Sequence, residues 1–142
     1  MIESATEHDL PAIHTFLERL HLPLVGVDER LATMLVAKEG EEIIGTAGLE
    51  LCADGALLRS VAVEPRRQGK HLGHQLTDAA LRLATAHGAN SVFLLTTTAE
   101  RFFPKFGFAP IDREQVPLSV QLSVEFQSAC PASAIVMRKQ LR

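Results

Sequence analysis

The 142-residue sequence predicts one α/β domain spanning residues 1–142, a mixed sheet with helices packed against it. Three observations predict it. The length is about that of one domain, and a chain of this size buries roughly 68–70% of its unfolded surface, enough to fold without a disulfide or metal staple. Two stretches carry apolar residues at helical spacing, and short apolar stretches bounded by turn signals surround them. Their order, strands in a row and then strand–helix–strand, is that of a layered sheet.

Ile2-Glu3 reads as a short first strand. Thr6 followed by Asp9 resembles a capping box with Asp in place of Glu, and Leu10, Ile13, Phe16, Leu17 and Leu20 then make residues 7–21 an amphipathic helix. HLPLVGVD follows as a loop. Thr33–Lys38 reads as a strand, Glu39-Gly40 as a turn and Glu42–Cys52 as a second long strand. Asp54-Gly55 is a hairpin signal leading into the strand Ala56–Val63, which Pro65 stops. Gly69–His87 is a helix with Leu72, Leu76, Ala79, Ala80 and Leu83 as its apolar stripe and Gly88 just past its end. Ser91–Thr96 is a strand, Ala99–Phe106 a short helix ending at Gly107, Pro117–Ala129 a further helix and Ala134–Lys139 a closing strand.

Composition removes several function classes. At 46% hydrophobic and 22% charged the chain is not disordered. A net charge of -3 gives no global basic field for nucleic acid. Cys52 and Cys130 are too few for a disulfide framework or a Cys-rich zinc site. No apolar run approaches the ~20 residues of a membrane span, and MIESATEHDL lacks an apolar signal core. The expectation is a cytoplasmic protein with no nucleic-acid or membrane partner. His8, His14, His21, His71, His74 and His87 show no metal-ligand spacing, so no metal is expected. The absence of Tyr and Trp excludes any mechanism that needs a tyrosine acid.

The chemistry concentrates in residues 57–76, LLRSVAVEPRRQGKHLGHQL, read as strand, turn and helix start. Free amides and the helix dipole at such a start favour an anion, and Arg66, Arg67 and Lys70 add charge. An ordinary turn with a solvated basic face would read the same way. Neither the Walker nor the dinucleotide glycine pattern is present.

This stretch resembles the acetyl-CoA signature of the GNAT N-acetyltransferases, Gln/Arg-x-x-Gly-x-Gly/Ala after a strand ending hydrophobic-Ala-Val. Val61, Ala62 and Val63 match the strand end; Gln68, Gly69 and Gly73 match the loop, and His71 occupies its central glycine position. Thr96 to Phe108, TTTAERFFPKFGF, is similar to the family's later element ending aromatic-x-x-x-Gly-Phe. The resemblance covers about residues 30–140. It implies a mostly antiparallel mixed sheet flanked by helices, acetyl-CoA as co-substrate, acetyl transfer to a primary amine, and a homodimer as one option. It assigns cofactor binding to Val61, Ala62, Val63, Gln68, Gly69, Lys70, His71, Leu72, Gly73 and Phe103. LLRSVAV, LLTTTAERFFPKFGF and the tail SVEFQSACPASAIVMRKQL look further like the small acetyltransferases of arsenic-resistance clusters, and the tail is similar to the N-acetylglutamate synthase domain. Both imply an amino-acid-like acceptor, including arsenic or phosphinic analogues or glutamate itself, with Ser133 beside it.

Attack on a thioester needs a neutral amine, hence a base, and donors for the oxyanion, which backbone N–H groups near Val61 or Ala62 would supply. Phe103 stands where many relatives carry a Tyr that protonates the leaving sulfur. That loss feeds a rival reading as a non-catalytic acyl-CoA sensor. With Asp54-Gly55 as a two-residue turn, Glu50 opposes Arg59 and shares its face, and Arg59 in turn shares a face with Val61. The resemblance implies that this face borders the acceptor cleft, where Arg59 suits capture of a carboxylate, arsonate or phosphinate, and Glu50 is either the base or the residue that holds Arg59; a plain cross-strand ion pair is the structural alternative. Cys130 is a weaker nucleophile candidate, and Cys52 with Cys130 a thin candidate for trivalent arsenic.

Overall fold

A computed structural model describes residues 2–96, 99, 101–123 and 134–141. Strand β1 is Ile2–Ser4, helix α1 Leu10–Arg19, β2 Met34–Glu39, β3 Glu42–Cys52, β4 Gly55–Val63, helix α2 Leu72–Ala86, β5 Ser91–Thr96, β6 Ala109–Ile111, helix α3 Leu118–Gln121 and β7 Ile135–Gln140. The strands form one seven-stranded sheet in the order β1-β2-β3-β4-β5-β7-β6. Every pairing is antiparallel except β4 with β5. Parallel neighbours need a crossover, and α2 provides it. The mixed, mostly antiparallel sheet agrees with the fold expected from sequence.

Two cores flank the sheet. On one face α2 buries Leu76, Ala80 and Ala84 against Leu35, Ala47, Leu49, Leu58 and Leu94. On the other, α1 buries Ile13, Phe16 and Leu17 against Val36, Ile43 and Ala62. Each fully buried Leu contributes about 2 kcal/mol. A smaller cluster of Leu57, Phe93, Val136 and the α3 residue Val120 extends the sheet toward α3.

The helix ends follow local chemistry. The Thr6–Asp9 box forms, Thr6 N–H donating to Asp9 Oδ2 at 2.9 Å. At the end of α2, Gly88 N–H reaches the Thr85 carbonyl and Ala89 N–H the Ala84 carbonyl, the double closure that a left-handed Gly88 permits.

Four expectations are corrected. Helix α2 starts at Leu72 rather than Gly69, because Gly69 (φ +85°) and His71 (φ +64°) are left-handed and cannot continue a right-handed helix. The segment 99–106 is helical only as a 3₁₀ turn over Phe103–Phe106. The helix at 117–129 is limited, within the described residues, to Leu118–Gln121. The hairpin turns on Ala53 and Asp54, with Cys52 paired to Gly55, so Glu50 faces Leu57 and Arg59 faces Gly48. Gly55 serves close packing instead of the turn: a Cβ there would come 2.9 Å from the Phe93 ring and 3.1 Å from the Ser91 carbonyl of β5.

Candidate acetyl-transfer site

The site begins with a defect in β4. Thr46 pairs with Ala62 and Gly48 with Arg59, so Ser60 and Val61 together stand opposite Ala47. This is a β-bulge, which bends the strand and raises its twist. Ser60 adopts φ +56°, a left-handed conformation costing about 1–2 kcal/mol for a non-glycine residue. The buried Thr46 hydroxyl donates to the Ser60 carbonyl at 2.7 Å, giving the bulged peptide a partner. The bulge also reverses the side-chain alternation. Leu58 before it and Val61 and Val63 after it all pack on the α2 side, while Ala62 joins the α1 side. Arg59 reaches Pro23 in the loop after α1. Arg59 and Val61 therefore project from opposite faces, contrary to the strict alternation assumed from sequence.

Beyond the bulge the sheet opens. β4 and β5 pair only at Ala56–Val92 and Leu57–Phe93. A cleft of about 920 Å³ lies between the diverging strands, lined by residues 58–63 of β4 and Leu94, Leu95 and Thr96 of β5. One end is the turn into α2, where Gln68, Gly69, His71, Gly73 and His74 line the wall; the other is formed by His21, Leu22, Pro23 and Arg59. Phe102 and Phe103 close the side.

The turn end is built to hold an anion. The first amides of α2, those of Leu72, Gly73 and His74, have no intrahelical acceptor. Gly69 stands at φ +85° with open space where a Cβ would be, so ligand can approach its backbone. A Cβ on Gly73 would lie 3.5 Å from Phe102 and 3.6 Å from Val63, both of which line the cleft. Gln68 Nε2 donates to the Val63 carbonyl at 3.3 Å, tying the loop to the strand end. Of the other residues singled out, Leu72 packs its side chain into the α2 core, leaving only its amide for a ligand, and Lys70 is exposed and off the cleft wall. Arg67 pairs with Glu39 and Arg66 lies 3.7 Å from Glu64, so two of the three loop cations have protein partners.

At the far end, Arg59 is buried on the wall. Its Nε donates to Ser60 Oγ at 3.3 Å and its Nη2 to the Pro23 carbonyl at 3.4 Å. Its Nη1 lies 3.8 Å from Glu50 Oε1, and Arg30 Nη2 lies 3.3 Å from Glu50 Oε2. Glu50 is 2% exposed and stands behind Arg59, off the cleft wall. The two-residue shift in register kept both residues on one face, so the pair survives as a diagonal contact. Arg30 had no signal in the sequence, since it lies between the expected loop and strand, in a 3₁₀ turn over Asp28–Thr33 that the sequence does not mark. The same is true of Glu64, buried at the end of β4 and bound by Arg19 at 2.6 and 3.3 Å; that hydrogen bonding lowers its pKa below the ordinary carboxylate range.

Phe103 is buried edge-on to Phe102 and Phe108 and lines the cleft where the sequence comparison expected a phenol. Cys52 sits at the β3–β4 hairpin, off the cleft, and burial raises its thiol pKa. Ser133 and Cys130 lie outside the described residues.

A bulged strand, a parallel neighbour splayed from it and an amide-rich helix start below leave a cleft between strands that can take an extended ligand with an anionic end. Residues 30–110 match the acetyltransferase (GNAT) domain, and the chain belongs to that family. It is an acetyl-CoA-dependent N-acetyltransferase. It is 29% identical over 130 residues to an amino-acid acetyltransferase of Mycobacterium tuberculosis, covering 84% of this chain and 74% of that protein. Its fold is similar to N-acetylglutamate synthase of Neisseria gonorrhoeae solved with coenzyme A and N-acetyl-glutamate, with TM-score 0.85, 20% identity and coverage of 100% of this chain but 35% of that one. It is similar also to a protein of M. tuberculosis solved in complex with CoA, with TM-score 0.80, 22% identity and coverage of 100% of this chain and 99% of that one. No helix among the described residues is long and apolar enough to cross a membrane.

Proposed function

We propose that residues 1–142 act as one N-acetyltransferase domain that acetylates the amine of a small amino acid whose carboxylate engages Arg59. The observation that carries this reading is Arg59 among the residues of the cleft wall, its buried guanidinium tied to Pro23 at the end opposite the amide-rich turn. A guanidinium matches a carboxylate in shape and charge. The relative from M. tuberculosis, an amino-acid acetyltransferase by name, supports the same class. In this reading the amides at Gly69–Gly73 take the pyrophosphate of acetyl-CoA, Val61–Val63 flank its pantetheine arm, and Ser133 is a second contact to the acceptor. Glu50 holds Arg59 in place rather than taking the proton itself, because Arg59 stands between it and the cleft.

The test is thiol release from acetyl-CoA with a panel of amino acids, their phosphinic and arsenic analogues, their decarboxylated amines and polyamines. Turnover confined to amines bearing a nearby oxyanion is expected. Glutamate would mark a biosynthetic enzyme; an arsenic or phosphinic analogue would mark detoxification. Equal turnover of the decarboxylated amines would overturn the reading.

A further inference from the structure

The acceptor end of the cleft needs a group that removes a proton from the ammonium before attack. Among the described residues the cleft wall contains no carboxylate, and it carries three imidazoles, the side chain used most often for general base work: His21, His71 and His74. His71 and His74 belong to the turn end, and His74 is occupied by Asp78 at 3.3 Å and by the Phe106 ring. That leaves His21.

The backbone places His21 with unusual definition. Arg19 is bound to Glu64, just past the end of β4, and the Pro23 carbonyl to Arg59, five residues earlier on that strand. Residues 19–23 therefore run back along residues 59–64, and their midpoint, His21, lies over the bulged stretch 60–63 where the strands separate. His21 holds φ +61° as the residue closing α1, its N–H reaching the Glu18 carbonyl at 3.1 Å while Leu22 N–H reaches the Leu17 carbonyl at 2.9 Å. Glycine is the usual occupant of that position. A non-glycine residue held in a left-handed turn on a cleft wall is a strained placement of the kind found at functional sites. Its side chain is exposed to the cleft.

We infer that the His21 imidazole is the proton acceptor for the acceptor amine, directly or through one water. This rests on the amino-acid acetyltransferase reading above. The imidazole takes one proton from the ammonium. The freed lone pair forms the N–C bond to the thioester carbonyl, the C–S bond breaks, the second amine proton leaves with the thiol, and the imidazolium returns its proton to solvent. The charged groups along that stretch are Arg19 bound to Glu64, Arg66 3.7 Å from Glu64, and Arg59 with Glu50 behind it.

The test uses His21→Asn, since Asn tolerates a left-handed backbone, and His21→Gly, which removes the strain. Both should fold. Each should lower kcat with the amino acid found in the panel about 100-fold, leave the KM for acetyl-CoA within about twofold, and lose the acidic limb of the pH–rate profile. Free imidazole should restore part of the activity of His21→Gly. Independently of turnover, adding the acceptor amino acid should shift the His21 imidazole ¹⁵N resonances, assigned by their absence from His21→Asn. A wild-type chain that turns over no amine overturns the acceptor reading and this one with it. An active wild type with an equally active His21→Asn, or imidazole resonances indifferent to the acceptor, overturns this inference alone.

Discussion

Arg59 Nη1 and Glu50 Oε1 lie 3.8 Å apart across the β3–β4 ladder, diagonal rather than directly opposite, and both side chains are at most 3% exposed. Burying two such charges costs several kcal/mol each unless geometry and hydrogen bonds compensate. Ser60 Oγ, the Pro23 carbonyl and Arg30 supply that compensation. Arg59 is therefore held in one geometry at the cleft wall, with Glu50 behind it, as recognition of a carboxylate requires.

Arg59→Lys keeps the charge and loses the planar fork, so the KM for the acceptor should rise about tenfold while that for acetyl-CoA is unchanged. Arg59→Ala should raise it further. Removing one partner of a buried pair costs about 3–5 kcal/mol of stability, and Arg30, which remains on Glu50, should keep the loss at the lower end. Steady-state kinetics on both substrates and a urea melt check this. Unchanged kcat/KM for the acceptor in Arg59→Ala would make Arg59 structural.

Glu50→Gln separates holding from proton transfer. As a positioning residue, Glu50 should on substitution raise the acceptor KM and leave the acidic limb of the pH–rate profile in place. A base would instead lose about 100-fold or more in kcat together with that limb.

His71→Gly should bind acetyl-CoA as the wild type does and gain up to about 1 kcal/mol of stability. The φ of +64° costs His71 about 1–2 kcal/mol that glycine does not incur, offset in part by glycine's greater unfolded-state entropy. Calorimetric titration and a thermal melt read both. A several-fold loss of affinity would assign the imidazole itself to a phosphate.

Gly73→Glu should abolish acetyl-CoA binding in a folded protein. A side chain built on Gly73 starts between Val63 and Phe102, in ordinary contact with both, and then projects a negative charge into a cleft meant for an anion. Unaltered affinity by calorimetry would move the pyrophosphate elsewhere.

Stability should fall on acidification through Glu64 and Asp9. Hydrogen bonding from Arg19 lowers the Glu64 pKa and that from Lys38 lowers the Asp9 pKa. A depressed folded-state pKa gives stability that is complete above the unfolded value, about 4, and is lost as pH falls below it. The Tm gap between wild type and Glu64→Gln should thus be widest above about pH 5 and narrow as the pH falls below about 4. A gap that does not change with pH would mean that the Arg19–Glu64 contact acts through packing alone.

Much of this protein was legible in the sequence because the relevant signals are local. The periodicity of α2, the limits of β3 and β5, the Thr6–Asp9 cap and the glycine loop before α2 each depend on residues within a turn or two of one another. The face shared by Glu50 and Arg59 was legible as well, because a register shift of two residues preserves side-chain parity. The register itself was not: Asp54-Gly55 reads locally as a turn, whereas the role of Gly55 is set by Phe93 and Ser91, nearly forty residues away. The bulge at Ser60-Val61 has no local signature; it arises from the pairing with Thr46–Gly48, and it decides that Arg59 and Val61 face apart and that β4 leaves β5. Arg30 and Glu64 were not legible for the same reason, and His21 was not because its place depends on how residues 19 and 23 are tied to β4. The partners of Arg30 and Glu64 lie 20 and 45 residues distant, and only the tertiary fold, by clamping residues 19–23 along β4, places an imidazole above the opening between the strands.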